Sequence, residues 1–159
     1  MSKSIEIERR FLLKRAPSLS LDSFTHITQI YVEEDGQDVR YRGEAHGPDK
    51  IYTRTVKKEL EGSLVREEDE TESTQEEFIK KAQGSDRIIT KVRSIYKDGD
   101  LNWEIDQFRF LDLIIVEVEL PTKDYDLEIP QEIQDVMIME VTGIAAFHNS
   151  VLADDYEKV

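Results

Sequence analysis

The sequence predicts an α+β domain in which eight antiparallel strands close into a barrel, or tunnel, with a polar, charged lumen and helices packed outside. Strand-like segments with a period of two follow one another at short intervals along the chain. One parity of these segments carries charge, whereas the other is largely apolar. Three further segments have the apolar stripes of amphipathic helices. The 159 residues fit a single domain covering 1–159, long enough to bury a sizeable core.

The strands are predicted from their alternation and from the turn signals, rich in Gly, Asp and Pro, that lie between several of them. The eight predicted strands cover 4–12, 26–33, 38–44, 50–58, 64–71, 87–96, 101–110 and 112–120. Residues 17–24 are predicted to form a loop or one helical turn.

Helices are predicted over 73–83, over 131–139 and from about 144 to 156. Ser73 and Glu76 have the spacing of a capping box, and Pro130 is suited to the start of the second helix. Each helix has an apolar stripe that needs a surface to pack on. These stripes are Phe78/Ile79/Ala82, Ile133/Val136/Met137 and Phe147/Val151/Leu152.

The opening strand shows the charge pattern most clearly. Glu6, Glu8 and Arg10 alternate with largely apolar neighbours, and successive strand side chains point to opposite faces, so these three charges share one face. The same parity is charged or polar in six later strands, at Arg40/Arg42, Thr55/Lys57, Glu68/Glu70, Lys91/Arg93, Glu104/Asp106 and Glu117/Glu119. This face lies either outside the barrel or in its lumen. The helical stripes favour the lumen, because they would then cover the apolar outer face.

Composition narrows the class of protein. Asp and Glu outnumber Lys and Arg by 35 to 21, a net charge of −14 that disfavours binding to nucleic acid or to an anionic membrane. The chain has no cysteine, which excludes disulfides and thiolate metal sites. No segment has the pattern of a signal peptide or a membrane span. We expect a soluble cytoplasmic protein. The composition leaves open whether the protein forms a homodimer.

A lumen lined by this face would hold six basic and eight acidic side chains. Arginine and lysine suit an elongated polyanion, and clustered carboxylates suit hard divalent cations such as Mg²⁺ or Mn²⁺. A metal-bound polyphosphate satisfies both sets. A network of internal salt bridges is the alternative.

Short motifs occur in order along nearly the whole chain. They are Glu6-x-Glu8-x-Arg10, Gln29-x-Tyr31, Arg40-x-Arg42, Tyr52 to Lys57, Arg66-x-Glu68-x-Glu70, Lys91-x-Arg93, Trp103 to Phe108, Val116 to Glu119, Glu140 to Thr142 and Asn149 to Ala153. This ordered set resembles the CYTH domains, also called triphosphate tunnel metalloenzymes. Members of that family include inorganic tripolyphosphatases, thiamine triphosphatases and a class of adenylate cyclases.

The resemblance implies an eight-stranded tunnel that binds a small-molecule triphosphate and a divalent metal. Implied metal ligands are Glu6, Glu8, Glu117 and Glu119, with Glu68, Glu70 and Asp106 as further candidates. Implied phosphate-binding residues are Arg10, Arg40, Arg42, Lys57, Lys91 and Arg93. Among these, Arg10 and Glu117 are implied to be catalytic.

The resemblance also implies an activity: metal-dependent hydrolysis of a triphosphate, foremost inorganic tripolyphosphate, releasing the terminal phosphate. The alternatives are an adenylate cyclase of the same fold and a triphosphate-binding or polyphosphate-binding protein with little turnover.

Two departures from the family pattern bear on activity. Arg10 stands where the family usually has lysine, and an arginine keeps the charge but cannot shuttle a proton. Ala145, Ala146 and Phe147 stand where the family carries basic residues and a tyrosine. The C-terminal segment has therefore lost polar groups that would line or close the tunnel.

Overall fold

Antiparallel strands form one closed sheet in the computed structural model, which describes residues 2–61, 65–109 and 111–155. Within these ranges the sheet has nine strands in the order β5-β4-β3-β2-β6-β7-β8-β1-β9, and β1 also pairs with β5. The strands are β1 (Ser2–Leu13), β2 (Asp22–Glu34), β3 (Gln37–His46), β4 (Asp49–Glu61), β5 (Val65–Glu72), β6 (Ile88–Asp98), β7 (Leu101–Phe108), β8 (Ile114–Glu119) and β9 (Met137–Glu140). The helices are α1 (Gln75–Gln83), α2 (Gln131–Gln134) and α3 (Asn149–Asp155), with a 3₁₀ turn at Ala145–Phe147.

Strand β1 closes the barrel because its two halves pair differently along one edge. Its first half pairs with β5, with Glu6 opposite Arg66. Its second half pairs with β9 instead, with Phe11 opposite Glu140. The other edge of β1 pairs with β8. Eight strands therefore close the ring through the first half of β1, which confirms the predicted barrel.

The strand register places the charged parity inside. Directly opposed residues of antiparallel strands share a face, so each pair extends the inner set to the next strand. Arg10 lies opposite Glu117, Glu117 opposite Glu104, and Lys57 opposite Glu68. The predicted polar lumen is confirmed.

The apolar parity packs outside the barrel, under the loops and α2. Trp103 is fully buried there, and Ile133 of α2 packs into the same cluster. The strand members of this cluster are Phe11, Leu13, Leu101, Trp103, Ile105, Val116 and Val118. This outer layer is the larger core of the protein.

Helix α1 covers the outer face of β3 and β4. Phe78 packs against the cluster around Tyr41, and its ring lies 5.3 Å from that of Tyr52. A Cβ atom at Gly43 would lie 3.2 Å from the Tyr52 ring, so glycine allows this close packing. Ile79, predicted to belong to the buried stripe, is 46% exposed. That part of the prediction is wrong, because the contact face of α1 runs through Phe78 and Ala82.

The structure differs from the predicted helix boundaries. The predicted helix over 131–139 is wrong beyond Gln134, because Met137–Glu140 form β9 and pair with the edge of β1 that β5 leaves free. The last predicted helix is divided into the 3₁₀ turn and α3. Predicted strand and helix positions 64, 110 and 156 lie outside the described residues.

The cap of α1 and two strand starts also differ from the predictions. Thr74, and not Ser73, caps α1: its hydroxyl accepts a hydrogen bond from the Glu77 backbone N–H at 3.1 Å. Strand β2 begins at Asp22 and β8 at Ile114. None of the described helices has the length and apolar character needed to cross a membrane.

Candidate functional site

A cavity of about 530 Å³ lies inside the barrel. Ten of the thirteen predicted site residues line it, namely Glu6, Glu8, Arg10, Arg40, Arg42, Lys57, Glu68, Arg93, Glu117 and Glu119. Lys91, Asp106 and Glu70 are not among the lining residues. The alternation in the sequence therefore brings most of the predicted site together.

Lys91 and Asp106 form a buried ion pair in the wall of the barrel. Asp106 accepts hydrogen bonds from Lys91 Nζ and Arg93 Nε, both at 2.7 Å, and Arg93 also bonds Glu104 at 2.8 Å. Burial lowers the pKa of Lys91 to about 8. Burial raises the pKa of Asp106, but the positive charges of Arg93 and Lys91 lower it by a larger amount, so the net shift is downward. These charges neutralise one another within the protein.

Glu6, Glu8 and Glu119 form the acidic wall of the cavity. Unlike the charges of Lys91 and Asp106, these carboxylates repel each other. Burial, with the charges of Glu117 and Glu6, raises the pKa of Glu8 to about 7. Burial and then Glu6 and Glu104 raise the pKa of Glu119. Burial and a hydrogen bond with Glu68 raise the pKa of Glu6, although Lys57 Nζ lies 2.9 Å from its carboxylate. A cation placed here would relieve this repulsion.

Arg40 and Arg42 form the cationic wall on β3. Arg40 is only 8% exposed, donates to the Thr55 hydroxyl at 3.2 Å, and forms no ion pair with any carboxylate in the described ranges. Arg42 lies 3.5 Å from Glu44. Burial and the neighbouring Arg40 and Arg93 charges lower the pKa of Arg42 to about 10. Positive charge on this wall therefore exceeds what the protein itself neutralises.

Arg10 joins the cavity to the C-terminal segment. Its Nε lies 3.1 Å from Glu117, its Nη1 donates to the Phe147 carbonyl at 2.5 Å, and its Nη2 donates to Asn149 at 3.3 Å. Burial raises the pKa of Glu117, but Arg10 and Arg93 more than reverse this and lower it. The planar guanidinium fork of arginine suits three such separate partners, whereas a lysine has a single ammonium group.

Several cavity residues were not predicted as site residues. Arg66 lies 3.8 Å from Glu8, and its Nη2 is 3.1 Å from His148 Nε2. Arg66 could have been found from the sequence, since it shares the parity of Glu68. His148 also lines the cavity, together with Asn149. No strand pattern places the C-terminal segment there, because its position follows from tertiary contacts alone.

Apolar side chains fill one end of the barrel. Leu12, Ile115 and Ile89 have the inner parity of their strands, and they join a cluster with Phe108 and Tyr31. Phe147, Leu152 and Ala153 of the C-terminal segment pack against this cluster. Part of the inner wall is therefore apolar at this end.

The donor chemistry of the acidic wall fits a hard divalent cation, since its ligand atoms are carboxylate oxygens with raised pKa values. Within the ranges that the structure describes, no three His, Cys, Asp or Glu side chains converge closely enough to hold a metal ion. The residue types fit such an ion, and side-chain movement would be needed to assemble the ligands.

No protein-family model matches the chain, and no curated protein matches it either. Two crystal structures of the protein NE1496, one described as that of an inorganic triphosphatase, are similar to it. They are 27% and 26% identical, cover 93% of this chain and 97% and 93% of their own, and have a TM-score of 0.62 each. The PH1819 protein from Pyrococcus horikoshii OT3 is 14% identical, covers 82% of both chains and has a TM-score of 0.59, which shows the fold alone.

The likeness extends over almost the whole length of NE1496 and over 93% of this chain, so it includes most of the barrel. The resemblance found in the motifs is thereby confirmed: the chain has the triphosphate tunnel fold of the CYTH family.

Proposed function

We propose that the cavity binds inorganic tripolyphosphate together with a divalent cation and hydrolyses it to orthophosphate and pyrophosphate. The observation that carries this proposal is the separation of charges that the protein neutralises only in part. Arg40 and Arg42 lie on one wall, and Glu8 and its acidic neighbours on the other. A polyanion that carries its own cation would neutralise both walls at once.

The arginines would hold the phosphate oxygens. A guanidinium presents paired N–H donors that match two oxygens of one phosphate group. Arg40 and Arg42 are two residues apart on β3 and face the same cavity, so they can contact neighbouring phosphate groups. Arg93 of β6 also lines the cavity, but Asp106 and Glu104 already neutralise its charge. Arg40 and Arg42 would orient the phosphate chain and stabilise the charge that spreads over the phosphoryl oxygens during transfer.

Glu6, Glu8 and Glu119 would hold the divalent cation, Mg²⁺ or Mn²⁺. When bound, such an ion neutralises phosphate charge and makes a bound water more nucleophilic. Arg10 and Glu117 would form the boundary between the substrate and the C-terminal segment. NE1496, described as an inorganic triphosphatase, supports the proposal at 26% identity over 93% of both chains.

The test is a phosphate-release assay with tripolyphosphate, ATP, thiamine triphosphate and pyrophosphate, each with Mg²⁺, Mn²⁺ or a chelator. We expect metal-dependent release from tripolyphosphate and little from pyrophosphate. Glu6→Gln should abolish this release, whereas Glu132→Gln, an exposed position in the first turn of α2, should leave it unchanged.

Two outcomes would overturn the proposal. Formation of cyclic AMP from ATP, without phosphate release, would identify an adenylate cyclase. Tight binding of tripolyphosphate without release of phosphate would identify a binding protein.

A further inference from the structure

Gln29 is a fully buried amide on the inner face of β2, directly beneath two side chains of the cavity wall. It lies opposite Arg42 of β3, and Tyr31, two residues along β2, lies opposite Arg40. The Gln29 amide contacts both Arg42 and Tyr31. The Gln29 amide therefore links Arg42 to Tyr31.

The orientation of the amide follows from its partners. Arg42 has only hydrogen-bond donors, and its Nε and Nη2 lie 3.2 and 2.8 Å from Gln29 Oε1. Oε1 must therefore face Arg42, and Nε2 must face Tyr31, whose hydroxyl oxygen lies 2.6 Å away. Because Nε2 only donates, the Tyr31 hydroxyl accepts this bond.

The Tyr31 hydroxyl consequently keeps its own hydrogen for another acceptor. Among the described residues, no side chain accepts a hydrogen bond from it. Tyr31 lines the cavity beside Arg40 and Arg42. This hydrogen is thus left for an acceptor bound in the cavity, such as an anion held by Arg40 and Arg42. In the same contacts, Gln29 fixes the plane of the Arg42 guanidinium.

We infer that Gln29 is a positioning residue for phosphate binding: it turns the Tyr31 hydroxyl and the Arg42 guanidinium so that both present donors to one phosphate chain. This inference rests on the proposed function, because the anion is taken to be tripolyphosphate. A buried amide that merely satisfies its own hydrogen bonds would stabilise the fold without coupling Tyr31 to the substrate.

The two roles are distinguished by Gln29→Glu, which keeps the shape of the side chain but removes its donor. A carboxylate between these partners accepts from Arg42 and also from Tyr31, so the hydroxyl hydrogen turns away from the cavity. Tyr31→Phe should then have a different effect in the two backgrounds. With Gln29 present, Tyr31→Phe should lower kcat/KM for tripolyphosphate in Mg²⁺ about tenfold. In the Gln29→Glu protein, the same change should lower kcat/KM less than about threefold.

Equal effects of Tyr31→Phe in the two backgrounds would overturn the inference. The matched control is Tyr41→Phe, because the Tyr41 hydroxyl bonds Glu34 on the outer face and should not affect kcat/KM. Thermal unfolding is measured for each variant. If Gln29→Glu does not fold, Gln29→Met releases the hydroxyl without adding charge, and the same reduced effect of Tyr31→Phe is expected.

A second measurement separates this inference from the proposed function. The side-chain amide protons of Gln29 are assigned in a ¹H–¹⁵N spectrum by their absence in Gln29→Met. Tyr31→Phe should shift one of them and speed its exchange with solvent, and unchanged resonances would overturn the contact. If the protein neither binds nor cleaves tripolyphosphate but these resonances change, the proposed function fails while the Gln29–Tyr31 contact stands.

Discussion

Two parts of the barrel wall carry similar cations in very different surroundings. On β6, Lys91 and Arg93 share the carboxylate of Asp106, and Arg93 also bonds Glu104. On β3, Arg40 donates to the Thr55 hydroxyl, and Arg42 binds the Gln29 amide at 2.8 Å, closer than the Glu44 carboxylate at 3.5 Å. Alternation alone therefore places a cation in the lumen. Whether the cation is structural or available to a ligand depends on the carboxylates that it contacts.

Removing the shared carboxylate should give the largest effect. Asp106→Asn leaves Lys91 buried without its counter-charge and leaves Arg93 with Glu104, and the loss of one partner from a buried ion pair costs about 3–5 kcal/mol. Urea unfolding measures this loss. Glu140→Gln, which breaks the half-exposed pair with Arg9, should cost about 1 kcal/mol or less. If Asp106→Asn lowers the free energy of unfolding no more than Glu140→Gln does, the β6 cations have no structural role.

Removing a cation of the β3 wall should affect ligand binding more than stability. Arg40→Gln should weaken tripolyphosphate binding about ten- to a hundredfold, the range expected for one hydrogen bond to a charged group. Stability should stay constant or rise, because Arg40 repels the buried Arg42. Calorimetric titration and urea unfolding check the two parts. Arg54→Gln, on the outer face beside Glu34, is the control for binding. Equal binding by the two variants would contradict the comparison.

The acidic wall should give a smaller effect that depends on pH. The pKa of Glu8 is raised from 4.5 to about 7, so the folded protein binds more protons than the unfolded chain between these values. Its contribution to stability is present below about pH 4.5 and is lost as the pH rises through 7. We expect the Tm to fall across this range, by about 2–4 °C for each kcal/mol of stability lost, and Mg²⁺ to reverse the fall.

This pH effect is measured by thermal unfolding at pH 5 and pH 8, with and without the metal. Glu8→Gln should remove the metal-free fall in Tm. A variant that keeps the whole fall would show that Glu8 does not carry it.

The sequence predicted the barrel because the two-residue alternation is strong in most of the strands that form it, although not in β5, where Glu67 and Asp69 occupy the other face. The same alternation placed Arg40, Arg42 and Glu117 correctly in the lumen. It could not show that Lys91 and Asp106 would neutralise each other, because that pairing depends on the register between β6 and β7. Periodicity identifies a face, and only cross-strand distances identify partners.

The remaining differences have similar physical causes. The four residues of β9 are too few for a strand pattern to be distinguished from a helix, and they are extended because β1 offers an unpaired edge. His148 enters the cavity through the fold of the C-terminal segment and not through any local pattern. Leu12 and Ile115 share the parity of the charged residues in their strands, so the sequence already places two apolar side chains inside the barrel. This signal is weak, because most residues of that parity are charged.

The apolar end of the barrel has a consequence for polymeric substrates. Ile89, Phe108 and Ile115 give part of the inner wall there an apolar lining that cannot bind phosphate oxygens. If the proposed function holds, a long phosphate chain would be held by the charged part of the cavity alone, with one terminus inside. Cleavage would then proceed from the chain terminus, and long polyphosphates would lose phosphate stepwise.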